Sequence, residues 1–102
     1  MKKINAGVIG VGGRIGKMHM ENLMRMQHKV NIVGVCDLVK ESSNYFAELC
    51  GGESFTNYKE ILERDDIDTV FILTPSHTHH DITIDSAMAG KNIFCRFSAQ
   101  FR

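Results

Sequence analysis

Proline occurs once in this chain of 102 residues, and there is no low-complexity linker and no internal repeat. A typical domain takes about 100–200 residues, so the length admits one domain at most. Net charge is also missing: 12 Lys and Arg cancel 12 Asp and Glu. A chain without positive excess has no electrostatic footprint for phosphate backbones, so nucleic acid is not an expected partner. No apolar run approaches the roughly 18 residues of a membrane span, and no membrane partner is expected. Lys2-Lys3 before Ile4 imitates the start of a signal peptide. The imitation fails because the following run carries Gly7, Gly10, Gly12 and Gly13 and ends in Arg14.

Cysteine is sparse and scattered. Cys36, Cys50 and Cys95 form no Cys-x-x-Cys pair, which argues against a structural zinc site or a disulfide framework. Cys36 and Cys95 each end an apolar run, where a free thiol serves as a small hydrophobe. A reducing cytoplasm is the expected location.

What is present is an ordinary globular balance, 43% apolar and 24% charged, arranged as an alternation. Apolar runs at Ile4–Ile9, Ile32–Cys36, Thr69–Leu73 and Asn92–Cys95 read as strands, with Ser54–Thr56 as a short one. Between them lie helical segments. The first carries Ile15, Met18, Leu23, Met26 and Val30 at stripe spacing. The second, Glu41–Leu49, places Tyr45, Phe46 and Leu49 on one side and stops at Gly51-Gly52. The third is capped by Asn57 with Glu60 following, and turns Ile61 and Leu62 inward. The last, Asp81–Ala89, carries Ile82, Ile84, Ala87 and Met88 and stops at Gly90. Strands that are apolar throughout are buried on both faces, the mark of a parallel sheet covered by helices. The expected fold class is α/β: a Rossmann-type, doubly wound parallel sheet in a single domain. Pro75 falls at a strand end, where its missing N–H costs no ladder bond.

The strongest chemical signal is Gly10-Val11-Gly12-Gly13-Arg14-Ile15-Gly16 at the turn from first strand to first helix. A dinucleotide site needs glycine there for a tight turn, for backbone approach to a pyrophosphate and for close helix–strand packing, and the helix N-terminus offers N–H groups to the phosphates. The third glycine stands one residue late for G-x-G-x-x-G, so the register of the loop is open. Asp37 ends the second run 21 residues after Gly16, where a carboxylate that accepts ribose hydroxyls and repels a 2′-phosphate belongs. Leu38 rather than Arg follows, which favours NAD over NADP. A glycine-rich turn without ligand and a solvated loop aspartate are the bland alternatives.

The segment Thr74-Pro75-Ser76-His77-Thr78-His79-His80-Asp81 suggests either metal or a ligand loop at the carboxyl end of the fourth strand. It nearly matches the His-x-His-x-Asp-His pattern of binuclear metal hydrolases, but Ile82 takes the last histidine's place. No metal is expected, since a catalytic metal needs three ligands in one geometry. His19, His28, Arg14, Lys17 and Lys91 read as surface groups. No G-x-S-x-G nucleophile elbow occurs.

Taken together, several stretches resemble the N-terminal half of the Gfo/Idh/MocA oxidoreductases, which include inositol dehydrogenases. They are Gly7-Val8-Ile9-Gly10 through Gly13-Arg14-Ile15-Gly16 with His19 and Asn22-Leu23, then Val35-Cys36-Asp37, and Tyr58-Lys59-Glu60-Ile61-Leu62. Ile67-Asp68-Thr69-Val70, Thr74-Pro75-Ser76-x-x-His79 and Ala89-Gly90-Lys91-Asn92-Ile93-Phe94-Cys95 complete the match, which runs over roughly residues 3 to 95. The resemblance implies an NAD(H)-binding Rossmann domain. Its cofactor-binding residues would be Gly10, Gly12, Gly13, Arg14, Ile15, Gly16, Asp37, Thr74, Pro75, Ser76 and His79, with His79 and the Thr74-Pro75 loop near the nicotinamide. It also implies a whole enzyme that oxidises a ring hydroxyl of a sugar or inositol. In the family the last strand runs into C-E-K-P, whose lysine is part of the catalytic machinery. Here Cys95 is followed by Arg96-Phe97-Ser98. The expectation is a domain over 1–95, an aberrant tail over 96–102 in place of the E-K-P segment, and no substrate domain: a truncated chain without catalytic residues. Three functions stay open. The chain is the cofactor half of a dehydrogenase inactive alone, a free-standing nucleotide-binding module working with a separate substrate-domain chain or by self-association, or a His-loop metal hydrolase.

Overall fold

The central strands carry side chains that are buried on both faces, and the chain satisfies them by placing helices on both sides of one five-stranded sheet. The structure is a computed structural model and describes residues 3–74 and 76–95. Its elements are β1 (Ile4–Ile9), α1 (Arg14–Arg25), β2 (Val30–Cys36), α2 (Lys40–Cys50), β3 (Glu53–Phe55), α3 (Tyr58–Leu62), β4 (Thr69–Ile72), α4 (Ser76–Met88) and β5 (Asn92–Cys95). All strand pairs are parallel, in the order β3-β2-β1-β4-β5. The chain therefore winds outward from β1 on one side, then crosses to the other. Between β1 and β4 lies the point where ligands bind in open α/β sheets.

Two cores flank the sheet. Ala6, Val8, Ile32 and Val35 face Met20 and Leu23 of α1 and Phe46 and Ala47 of α2. On the other face Ile9, Cys36, Val70 and Ile72 meet Ile61 of α3 and Ile82 of α4. The doubly wound expectation holds. Burial pushes the Cys36 thiol up to about 12, helped by the negative charges of Asp37 and Glu60, so at neutral pH it stays a thiol in the core.

The helix faces depart from the sequence reading. Met18 and Met26 are exposed and Val30 begins β2. The inward residues of α1 are Gly16, Met20 and Leu23. In α2, Phe46 is buried as expected, but Tyr45 and Leu49 are exposed and the small Ser43 and Ala47 turn inward. In α4, Ile82 is buried while Ile84 and Met88 are exposed, and Ser86 is fully buried with its hydroxyl donating to the Ile82 carbonyl at 2.7 Å. Close helix–sheet approach selects small residues for the contact, and apolar size alone does not reveal them. α4 also starts five residues earlier than its apolar periodicity suggests, because its first residues, Ser76 to Asp81, are polar and leave no apolar stripe to read. Asn57 caps α3 as expected, its side chain accepting the Lys59 N–H at 3.0 Å.

Lys91 is not the surface charge its sequence suggests. Its Nζ donates to the carbonyls of Arg64 at 2.7 Å and Ile67 at 2.6 Å, closing the turn between α3 and β4. Lys91→Met leaves both acceptors without that donor. A loss of about 2 kcal/mol is expected, read as a fall in Tm of roughly 8–16 °C. An unchanged Tm would show that water serves the two carbonyls equally well.

The tail over 96–102, read above as replacing E-K-P, and Pro75 both lie outside the described residues.

Candidate cofactor-binding site

At the carboxyl edge, the end of β2 holds the loop that follows β1. The Gly10 N–H donates to the Cys36 carbonyl at 2.8 Å and the Val11 N–H to the same oxygen at 3.3 Å. The Gly12 N–H donates to Asp37 Oδ1 at 3.0 Å. Asp37 Oδ2 accepts the Val39 N–H at 2.9 Å, so one carboxylate ties the β1–α1 loop to the β2–α2 loop. On the other side the Leu73 N–H donates to the Ile9 carbonyl at 2.8 Å and brings the end of β4 beside the same loop.

The glycines have separate reasons. Gly10 has φ of 92°, and a Cβ there would fall 2.9 Å from Thr74 Cγ2 and from the Thr74 backbone nitrogen, so both conformation and space exclude a side chain. Gly16, inside α1, faces the loop: a Cβ there would overlap the Gly10 carbonyl oxygen. It therefore holds the helix-packing role of the third glycine, and the extra residue is absorbed upstream. Gly12 lies against Asp37, whose carboxylate atoms would stand 2.8 to 2.9 Å from an added Cβ. Gly13 is different: it is the N-cap of α1 at φ −78°, ψ 170°, ordinary for any residue, and nothing lies within 4 Å of a Cβ built on it.

α1 begins with no side chain on its N-cap and no acidic residue in its first turn. Arg14, Ile15 and Gly16 supply the first backbone N–H groups, a partial positive end suited to an anion. Thr74 follows β4, and its buried Oγ1 has no hydrogen-bond partner among the described residues. Ser76 opens α4. His79 lies in the first turn of that helix rather than in a loop, which corrects the loop reading of this histidine segment. The Thr83 hydroxyl, one turn on, donates to its carbonyl at 2.7 Å. Burial, then the neighbouring His80, lowers the His79 pKa below the ordinary histidine value, which favours the neutral ring. An open groove of about 440 Å³ starts at Gly12 and runs between α1 and α2, past Lys17, Val39 and Ser42. Among the described residues no group of three or more His, Cys, Asp or Glu is placed to hold a metal.

The residues present fit a dinucleotide. The loop is shaped by glycine, the helix end carries no competing acid, and the Asp37 carboxylate, with about four lone-pair sites, keeps two for further donors. Sequence reasoning missed the Val39 N–H, because no residue-type signal marks a backbone donor.

The family model for the oxidoreductase family with an NAD-binding Rossmann fold, GFO_IDH_MocA, matches residues 4–96. The chain belongs to the Gfo/Idh/MocA oxidoreductase family. It is similar to the scyllo-inositol 2-dehydrogenase (NAD(+)) of Bacillus subtilis, 36% identical over 90% of this chain and 27% of that protein. Among solved structures, the myo-inositol 2-dehydrogenase of Lactobacillus plantarum has a TM-score of 0.84 at 33% identity, over 92% of this chain and 28% of that one. The scyllo-inositol dehydrogenase of Lactobacillus casei, solved with NAD(H) and scyllo-inositol, has the same TM-score at 28% identity. The Gfo/Idh/MocA chain described here thus spans between a quarter and a third of the length of these relatives. No helix among its described residues is long and apolar enough to cross a membrane.

Proposed function

We propose that this domain binds NAD(H) at the carboxyl edge between β1 and β4, as the cofactor half of a dehydrogenase for a sugar or inositol hydroxyl. The observation that supports it most is the convergence of the Gly10 turn, the acid-free start of α1 and the Asp37 carboxylate within one hydrogen bond of Gly12. The loop and the first turn of α1 receive the pyrophosphate. Asp37 accepts the adenosine ribose hydroxyls and repels a 2′-phosphate. Thr74, Ser76 and His79 border the nicotinamide side. When bound, NAD supplies a hydride acceptor.

Turnover needs substrate and cofactor held at near-attack distance with a proton acceptor in place. This sequence has Phe97 where the family's lysine belongs. The 102-residue chain is therefore inactive alone, and a substrate domain, on this or a separate chain, or self-association, completes the site. Its location is the cytoplasm.

Calorimetry on the chain tests this. NAD(H) binds weakly, at least about tenfold tighter than NADP(H), a difference of about 1.4 kcal/mol. In Asp37→Ala the ratio of the two affinities falls to near one. NADP(H) binding the wild-type protein as tightly as NAD(H) would remove Asp37 as selector. NAD reduction by the chain with inositol or a sugar would overturn the assignment of inactivity.

A further inference from the structure

We propose that Asp37 is also a positioning residue, a clasp that holds the glycine loop in its phosphate-receiving shape before any ribose arrives. The inference rests on the cofactor reading above. Three consecutive loop N–H groups, from Gly10, Val11 and Gly12, are taken up by the end of β2: two by the Cys36 carbonyl and the third by Asp37 Oδ1. Asp37 is itself fixed, its own N–H donating to the Phe55 carbonyl of β3 at 3.1 Å and its Oδ2 accepting from Val39. The carboxylate is thus mounted on the sheet, and a bond from it transmits the sheet's rigidity to the loop. The next N–H groups along the chain are those of Gly13 and the first turn of α1, the ones an anion would use.

Sterics agree. Glycine at position 12 is demanded by the carboxylate, which leaves no room for a Cβ, whereas Gly13 has open space around it. The glycine doublet therefore divides the labour: Gly12 admits the clasp, and Gly13 leaves the approach to α1 open.

Charge makes the test discriminating. A carboxylate beside a phosphate repels it, so if Asp37 only met ribose hydroxyls, removing it would strengthen binding of a diphosphate that lacks those hydroxyls. A clasp predicts the opposite sign. The probe is 2′,3′-dideoxyadenosine 5′-diphosphate, titrated by calorimetry into the full chain. Asp37→Ala is expected to weaken it about tenfold, the loss of one charge-assisted hydrogen bond that orders the loop. Asp37→Asn keeps an oxygen for the Gly12 N–H but turns a donor to the Val39 N–H, and is expected to lose less than Asp37→Ala, about threefold. It also keeps the question answerable should Asp37→Ala fail to fold, which circular dichroism reports. In that case a more than tenfold loss in Asp37→Asn overturns the clasp. So do unchanged or tighter binding in a folded Asp37→Ala, and equal losses in both variants. Failure of the wild-type protein to bind either NAD(H) or the dideoxy probe would instead overturn the cofactor reading itself.

Discussion

Gly16→Ala is expected to lower the stability of the domain by about 3 kcal/mol and to abolish measurable NAD(H) binding. The added methyl overlaps the Gly10 carbonyl oxygen, a backbone atom that cannot rotate away, and presses on the backbone of Val11. α1 must move off the loop. That separates Met20 and Leu23 from the strands they cover and displaces the helix end proposed to receive the pyrophosphate. For a domain of this length the loss corresponds to a fall in Tm of roughly 12–24 °C. Gly13→Ala is the internal control for sterics. Its backbone angles suit alanine and its Cβ meets nothing, so the Tm stays within a few degrees. NAD(H) binding nevertheless falls by about tenfold if the pyrophosphate approaches that backbone. Thermal unfolding and calorimetry on both variants separate the two glycines. A Gly16→Ala protein as stable as wild type would mean that the helix does not rest on the Gly10 carbonyl.

Ile61→Ala carries the second large effect. Ile61 is fully buried on α3, and its Cγ2 occupies the space a Cβ on Gly7 of β1 would need, at 2.6 Å. Truncation opens a cavity beside Ile9, Val70 and Ile72, and a loss of about 3–4 kcal/mol is expected. Gly7→Ala alone is destabilising as well, by overlap with Ile61 and Ile67. Combined, the two changes exchange volume across one contact: the new methyl on β1 enters the space vacated on α3. The double variant is therefore expected to be at least about 1 kcal/mol more stable than additivity predicts. Strict additivity in denaturant titrations would show that Ile61 does not pack on Gly7.

The site inherits both contacts, because β1 is the strand from which the glycine loop leaves. A family member that loses the packing of either face loses the platform on which Asp37 and Gly12 meet. Binding and folding are thus linked: a ligand that binds only the folded state raises its apparent stability by mass action. NAD(H) is expected to raise the Tm of the wild-type chain more than NADP(H) does.

Much of this was legible in the residues themselves. Apolar strands such as Ile4–Ile9 and Thr69–Ile72, separated by helical segments, required a parallel sheet covered on both faces, because a strand with no polar face has nowhere to meet water. Gly10 to Gly16 after β1 and Asp37 after β2 pointed to the proposed cofactor edge by type and spacing, since glycine suits the Gly10 turn and an acid at that place can accept ribose hydroxyls. Which side of each helix meets the sheet was decided by tertiary structure. Met18, Tyr45, Leu49, Ile84 and Met88 are apolar yet exposed, while Gly16, Ser43 and Ser86 are small and buried, because the distance between helix and sheet is set by the smallest residue in the contact. The same cause explains the register of the glycine loop, which spacing left open and the approach of Gly16 to the Gly10 carbonyl resolves. Lys91 on two carbonyls and Asp37 on two backbone N–H groups were also invisible in sequence, since a hydrogen bond to backbone depends on where the chain returns and not on which residue it carries.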